Sequence, residues 1–267
     1  MTANDALVAF LTPSKGPEFS REIALRAAAR SSRIQLGASG FARGGGDQIQ
    51  AYSWGDGPSI LLVHGWEGRA TNFAAFIPAL TAAGFRAVSF DAPGHGQSSG
   101  ILSSAPAIAA GIRAVEERTG PFYAIIAHSL GALASTCALS RGSNADRVIF
   151  LAACCWVRPL LTKFVERLGL PDDKRLELFA FSAGEFRPEE ISAEAVAPSL
   201  GGISALLMHD PADPEMPYEH SNAVANAWPG AVLFPVPGVG HRRILRSRAA
   251  IDRALAHLKT DPPRRLP

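Results

Sequence analysis

A serine is an effective nucleophile only when a neighbouring base takes its proton and the backbone presents its hydroxyl to the substrate. One arrangement that does this places the serine on a sharp turn between a strand and a helix, with small residues two positions away on either side (Gly-x-Ser-x-Gly). Residues 96–100 match that pattern letter for letter around Ser98. No apolar stretch leads directly into them, so Ser98 lacks the strand that the turn requires.

Allowing alanine at the first position of the pattern adds Ser129, Ser140 and Ser182. Ser140 lies near the end of a predicted helix, and Ser182 falls inside a predicted helical insertion. Ser129 alone is preceded by a stretch typical of a strand (YAIIA) and followed by one typical of a helix (LGALASTCALS). We therefore predict that Ser129 is the nucleophile of an acyl transfer.

The general base must be one of seven histidines. His241 follows a flexible Gly-Val-Gly segment after the last predicted strand and precedes the last predicted helix, so its imidazole can reach over the edge of a sheet. His209 closes a strand and could be functional, but its neighbours offer acid sites. We expect the histidines that shape loops to be His64, His95 and His128. We expect surface positions for His220 and His257. His241 is therefore the predicted base.

A histidine that acts as a base needs a buried carboxylate that holds one tautomer and stabilises the imidazolium. Asp213 and Asp210 both follow the predicted strand at 203–208, whereas no carboxylate directly follows the preceding strand. Asp213 is the preferred acid, and Asp210 stays open as the alternative. The resulting chain order, Ser, Asp, His, is the order expected when the serine lies on a strand-to-helix turn.

The tetrahedral intermediate of an acyl transfer carries an oxyanion, which N–H donors fixed in advance must stabilise. Leu130 follows the predicted nucleophile at the start of a helix, so its backbone N–H is one candidate donor. Trp66 lies in the His-Gly-Trp loop after an earlier predicted strand and is placed to supply the second donor.

These candidates follow short apolar stretches that alternate with helical stretches. Stretches that are apolar on every residue are typical of parallel strands buried on both faces, and the alternation predicts an α/β fold with helices covering both sides of the sheet. In such folds ligands bind beyond the carboxyl ends of the strands. Residues 47–54 alternate between apolar and polar as a half-buried strand does. The other predicted strands are 59–63, 86–90, 123–127, 147–151, 203–208 and 231–236, and the predicted helices are 21–32, 70–83, 105–118 and 130–140.

No clear strand pattern occurs from residue 154 to about residue 200, which predicts a small helical cap over the carboxyl edge of the sheet. We expect one domain over residues 1–267 that carries this insertion. Most apolar side chains of the cap should pack it onto the body, and a few should line a pocket; they are Leu160, Leu161, Phe164, Leu168, Leu178 and Phe179.

The overall composition narrows the range of partners. A formal net charge of +2 is too small to favour nucleic acid or an anionic membrane, and no apolar stretch approaches the ~18 residues that span a bilayer. Three cysteines, two of them adjacent, are not a disulfide framework, and the N-terminal sequence lacks the features of a signal peptide. We therefore expect a cytoplasmic protein. No cysteine–histidine spacing indicates a metal site.

Several motifs together resemble those of the α/β-hydrolase superfamily: HGW at 64–66, DAPGHGQS at 91–98, AHSLG at 127–131, DPEMP at 213–217 and GVGHRR at 238–243. The resemblance implies a mainly parallel sheet of about eight strands, the first pairs antiparallel, with a helical cap. It also puts Asp213 in the position of the family's acid. Ala127 replaces the usual first glycine of the turn, and Met216 stands where valine is usual.

The resemblance implies an enzyme that hydrolyses an ester-like bond, and the leading hypothesis is hydrolysis of a carboxylic ester through an acyl-enzyme without a cofactor. The apolar content of the predicted cap favours a small-molecule substrate with an uncharged, apolar acyl group. Alternatives are other reactions of the same three residues, namely thioester, lactone or carbon–carbon bond hydrolysis and perhydrolysis. A non-catalytic ligand-binding protein on the same fold is a further alternative. A serine nucleophile argues against the dehalogenase and epoxide hydrolase chemistry of members that use aspartate.

Overall fold

A computed structural model describes residues 3–37, 46–157 and 191–260, together with residues 160, 162, 164, 166, 168 and 169. Eight strands lie in the described part: β1 (Arg30–Gln35), β2 (Gln48–Trp54), β3 (Ser59–Val63), β4 (Arg86–Asp91), β5 (Phe122–His128), β6 (Ala145–Leu151), β7 (Ser204–His209) and β8 (Val232–Pro235). They form a single sheet in the order β1-β2-β4-β3-β5-β6-β7-β8.

The sheet is antiparallel at one edge and parallel elsewhere. β1 pairs with β2, and β2 with β4, in antiparallel register. From β4 to β8 every neighbouring pair is parallel. The predicted α/β fold, with a mainly parallel sheet of about eight strands, is confirmed, and so is the antiparallel start.

Helices cover both faces of the sheet. They are α1 (Ala3–Leu11), α2 (Ser20–Ala27), α3 (Phe76–Ala82), α4 (Ala105–Thr119), α5 (Leu130–Ser140), α6 (Ala193–Val196), α7 (Tyr218–Ala227), α8 (Gly240–Arg243) and α9 (Arg248–Leu258). Short 3₁₀ helices in the described part of the chain span Ala70–Phe73, Ala197–Leu200 and Ile244–Arg246. None of the helices in the described segments is long and apolar enough to cross a membrane.

Successive strand residues feed two separate apolar cores, because side chains of a strand point alternately to opposite faces. On β3, Leu61 and Val63 join the core beneath α4 and α5, whereas Ile60 and Leu62 join the core beneath α3 and α9. A strand with partners on both faces has no polar side, which explains why its sequence is apolar throughout.

One predicted helix is wrong over its second half. The prediction covers residues 21–32, but α2 ends at Ala27 and β1 begins at Arg30. Only Ile34 is buried in β1, because an edge strand packs on one neighbour and needs little apolar surface. Its polar sequence therefore gives no strand signal. The predicted helix at 70–83 is interrupted, since a 3₁₀ helix at Ala70–Phe73 precedes α3.

Most of the predicted cap at 154–200, including Leu161, Leu178 and Phe179, lies outside the described residues. Within that region, residues 160, 162, 164 and 166 are helical, and α6 leads into the 3₁₀ helix at Ala197–Leu200. One isolated antiparallel bridge joins Trp156 to Ser192. The cap as a whole stays a prediction.

Candidate active site

Ser129 lies on the turn between β5 and α5. Its backbone has φ 52° and ψ −121°, a conformation that costs a non-glycine residue about 1–3 kcal/mol. Two hydrogen bonds hold this turn: the Ser129 N–H donates to the carbonyl of Leu151 (3.0 Å), and the Ser129 carbonyl accepts the N–H of Cys154 (3.1 Å). The strand-to-helix setting predicted for Ser129 is thus present.

Close backbone approaches explain the small residues around this turn. A Cβ on Gly131 would lie 2.5 Å from the carbonyl oxygen of Val63, and a Cβ on Gly65 would lie 2.9 Å from the Cβ of Ser129. Glycine is required at both positions because neither backbone can give way. Ala127 is fully buried among other apolar side chains, so alanine is accommodated at the first position of the pattern.

The structure brings Ser129, His241 and Asp213 together in one chain of hydrogen bonds. The His241 Nε2 lies 3.0 Å from the Ser129 Oγ, and the His241 Nδ1 lies 2.8 Å from the Asp213 Oδ2. A carboxylate only accepts hydrogen bonds, so the proton is on Nδ1 and Nε2 can accept the serine hydroxyl proton. This is the relation of nucleophile, base and orienting acid that a serine triad needs.

Asp213 is buried, and each of its oxygens is hydrogen-bonded. Oδ1 accepts the N–H groups of Glu215 (2.8 Å) and Met216 (3.0 Å), while Oδ2 faces His241 and His209. Burial would raise the pKa of Asp213, but the hydrogen bonds from the two histidines and from Met216 bring it below the ordinary value. The carboxyl is therefore ionised at neutral pH.

Asp210, the alternative acid, makes different contacts. Its Oδ2 accepts the N–H of Gly240 (2.6 Å), and its Oδ1 accepts the N–H of Ala212 (3.0 Å). Asp210 thus anchors the backbone next to His241, whereas Asp213 bonds the imidazole itself. Among the described residues, no group of three or more His, Cys, Asp or Glu side chains is arranged to hold a metal ion.

The two residues predicted as oxyanion donors belong to segments that adjoin the serine. Leu130 is the first residue of α5, where a helix offers its own N–H groups no acceptor. Trp66 directly follows Gly65, whose Cα lies against the serine side chain. Both residues line the cavity into which Ser129 opens, and their role as oxyanion donors stays a prediction.

The loop that carries Trp66 is held by two buried histidines. His95 Nε2 accepts the N–H of Glu67 (3.1 Å), and His64 Nε2 accepts the N–H of Ala92 (2.9 Å). Glu67 has φ 57°, so the peptide after Trp66 is turned into a strained conformation and fixed there. The prediction that these histidines shape loops agrees with their contacts.

Three histidines are buried in their neutral form, so the stability of the fold depends on pH. Burial lowers the pKa of His64 to about 4, and those of His95 and His128 to about 3. Their ordinary value is about 6.5. Between these values the unfolded chain binds more protons than the folded chain, so the free energy of unfolding decreases as the pH falls below about 6.5.

We therefore expect each of these three histidines to remove roughly 2 kcal/mol of stability between about pH 7 and about pH 5. Urea unfolding midpoints at the two pH values measure the loss. The His95→Gln variant, whose amide oxygen can accept the same N–H, should lose the contribution of His95, roughly 2 kcal/mol of the difference between the two pH values. Equal stability of the wild type at both pH values would contradict this account.

Two histidines predicted at the surface are buried instead. His220 Nδ1 accepts the N–H of Cys155 (3.0 Å), and His257 Nε2 lies 3.4 Å from the Ser204 Oγ. The residues around them gave no apolar pattern that would place these side chains inside. Ser98 is buried too, but its Oγ accepts the N–H of Gln50 (2.9 Å) and holds β2.

Ser129 and His241 open into a cavity of about 1100 Å³. The N-terminal segment forms one of its walls, a role that the sequence analysis missed. The Phe10 ring lies 5.2 Å from that of Phe164, and the Ser14 N–H donates to the Glu67 carboxylate (3.2 Å). These contacts join residues far apart in the chain, so no local pattern could have revealed the wall.

Comparisons with known proteins agree with this fold. A model described as alpha/beta hydrolase fold matches residues 58–187, and one described as TAP-like protein matches residues 185–262. A structure of Rv0554 from Mycobacterium tuberculosis shares 17% identity, with a TM-score of 0.67, over 85% of this chain and 98% of that one. A bromoperoxidase from Bacillus anthracis shares 17% identity, with a TM-score of 0.63, over 87% of this chain and 100% of that one.

Est1E from Butyrivibrio proteoclasticus, solved with ferulic acid bound, shares 20% identity, with a TM-score of 0.61, over 79% of this chain and 93% of that one. At such identities the likeness shows the fold alone. The two family models together span residues 58–262, with Ser129 in the first and Asp213 and His241 in the second. The chain belongs to the α/β-hydrolase superfamily.

Proposed function

We propose that this hydrolase cleaves carboxylic esters through a covalent acyl-enzyme on Ser129. The observation that carries the proposal is the chain of hydrogen bonds from the Ser129 Oγ through His241 to Asp213. Ser129, at one end of this chain, lines the cavity. A serine on a strained turn, with a base at 3.0 Å, has both the activation and the presentation that nucleophilic attack needs.

In the proposed mechanism, His241 Nε2 takes the hydroxyl proton while the Ser129 Oγ attacks the ester carbonyl carbon. The N–H groups of Trp66 and Leu130 stabilise the oxyanion of the tetrahedral intermediate, and Asp213 stabilises the imidazolium. His241 then gives its proton to the leaving alkoxide. A water molecule, deprotonated by His241, then attacks the carbonyl carbon of the acyl-enzyme in the same way. The bond to the Ser129 Oγ breaks, the carboxylic acid is released, and His241 returns the proton to the serine.

The lining of the cavity supports an apolar acyl group as substrate. Large apolar side chains come from the N-terminal segment, from the start of α5, from the predicted cap and from the Asp213 loop; they include Phe10, Leu130, Val157, Leu160, Phe164, Ile191 and Met216. We propose that the cap within residues 154–200 closes the acyl site, because Leu160 and Phe164 already contribute to its lining. Burial of such a group would contribute about 25 cal/mol per Å² of apolar surface.

Labelling with a fluorophosphonate probe tests the nucleophile and the activity class. We expect one covalent adduct on the folded protein, located by mass spectrometry on the peptide that contains Ser129. The peptide with Ser98 serves as the internal control and should stay unmodified. Heat-denatured protein should not react, because the probe needs a serine activated by its base.

A panel of 4-nitrophenyl and thioester substrates of graded acyl length, assayed on the same preparation, then measures the preferred bond and chain length. Ester turnover above the rate without enzyme supports the proposal. A folded protein that neither binds the probe nor turns over any ester would contradict it and would favour the ligand-binding alternative.

A further inference from the structure

His209, the last residue of β7, lies beside the predicted acid although the mechanism above gives it no task. Its Nε2 is 3.1 Å from the Asp213 Oδ2, the same oxygen that faces His241, and 3.0 Å from the carbonyl oxygen of Met216. Its Nδ1 is 2.7 Å from the Ser221 Oγ on α7. The side chains of His209 and Asp213 are both fully buried.

Hydrogen-bond accounting fixes how this group of side chains is protonated. A carboxylate and a carbonyl only accept, so the His209 Nε2 must carry a proton. The Ser221 Oγ accepts the N–H of Ala153 (3.2 Å), which leaves the serine proton free to donate to Nδ1. Every group is then satisfied, because two series of donors end at the Asp213 carboxylate. One runs from Ala153 through Ser221 and His209, and the other runs from Ser129 through His241.

We infer that His209 is a positioning residue, which fixes the orientation of the Asp213 carboxylate and reduces the electron density on its Oδ2. Through this carboxylate, His209 sets the alignment and the basicity of His241. The inference rests on the proposed function of the Ser129 site. No proton leaves His209 in the reaction, because its role is to hold a hydrogen bond throughout.

Two physical effects follow from the shared oxygen. The backbone N–H groups of Glu215 and Met216 hold Oδ1 and the bond from His209 holds Oδ2, so His209 completes the set of bonds that fixes the plane of the carboxylate towards His241. The same bond also withdraws electron density from Oδ2 and weakens its pull on the imidazolium proton. Without His209, the base should be aligned less well and should hold its proton to a higher pH.

Other charged and titratable groups lie around His241. The His128 ring centroid lies 4.7 Å from that of His241, and burial keeps His128 neutral by lowering its pKa to about 3. Arg242 is paired with Glu215 (3.0 Å), and Asp210 bonds the N–H of Gly240. A substitution at His209 leaves all of these in place, so their effects cancel between variants.

The test compares His209→Leu, which removes the donor, with His209→Gln, whose amide NH₂ can reach the position of Nε2. His257→Gln is the matched control, since His257 is also a buried histidine but bonds Ser204 instead. Fluorophosphonate titration gives the concentration of reactive sites, so kcat, KM and the pH profile of kcat/KM refer to folded enzyme. Proton NMR follows the His241 Nδ1–H through the same pH range without any substrate.

For His209→Leu we expect kcat to fall about 10-fold with an unchanged KM. The acid limb of the pH profile and the NMR titration should both move up by about 0.5–1 pH unit. His209→Gln should restore both, and His257→Gln should move neither. If His209→Leu does not fold, Ser221→Ala replaces it, with a smaller shift in the same direction.

An unmoved or lowered acid limb in a variant that hydrolyses esters would overturn the positioning role. Equal kcat values and equal acid limbs for His209→Leu and His209→Gln would overturn it as well. The outcome is distinct from failure of the proposed function: without ester hydrolysis by the wild type, the NMR titration still reports whether His209 controls the protonation of His241.

Discussion

Ser129→Ala is expected to lower kcat for ester hydrolysis by about 10⁶-fold. The substitution removes the oxygen that forms the acyl-enzyme and leaves His241 Nε2 with no hydroxyl at 3.0 Å. It should leave the backbone of the turn unchanged, since alanine also carries a Cβ, and it should not empty the core, because Ser129 lies at the surface of the cavity. We therefore expect a folded protein with nearly unchanged stability, measured by urea unfolding alongside the ester assay.

The matched control for this prediction is Ser98→Ala, at the serine that fits the glycine pattern letter for letter. Ser98 accepts the N–H of Gln50 and lies on the loop after β4, so its loss should affect stability and leave kcat near that of the wild type. Equal hydrolysis by Ser129→Ala and the wild type would remove Ser129 as nucleophile and, with it, the acyl-enzyme.

Asp213→Asn should lower kcat by about 10⁴-fold through a forced change of tautomer. The N–H groups of Glu215 and Met216 both donate to the Oδ1 position, so an asparagine there must put its carbonyl oxygen at that position. Its NH₂ then faces the His241 Nδ1, which must lose its proton to accept. The proton moves to Nε2, which can no longer accept the hydroxyl of Ser129.

Asp210→Asn supplies the comparison that separates the two carboxylates. Its amide oxygen can still accept the N–H of Gly240, so we expect less than about a 10-fold loss of kcat from slight displacement of the loop. Steady-state kinetics of both variants near neutral pH decide the question. A larger loss for Asp210→Asn than for Asp213→Asn would reverse the assignment and make Asp210 the acid.

The sequence by itself determined the parts of this protein that depend on local pattern. Seven of the eight strands were predicted from the sequence: β2 from alternating apolar and polar residues, and the other six from apolar stretches. The stretches are apolar throughout in the central strands, because a strand covered by helices on both faces has no polar side. Helix α5 was predicted at its observed bounds. The setting of Ser129 between strand and helix was equally readable, since a strained turn needs small residues at fixed offsets in the chain.

The tertiary structure decided everything that depends on neighbours distant in sequence. β1 is a polar edge strand that exists through its pairing with β2. The sequence favoured Asp213 over Asp210 without excluding Asp210, and their contacts distinguish them: Asp213 bonds an imidazole, and Asp210 bonds a backbone N–H. His209 reaches its place because β7, α7 and the Asp213 loop meet there. Such distances are set by the packing of the whole fold, which no short stretch of residues encodes.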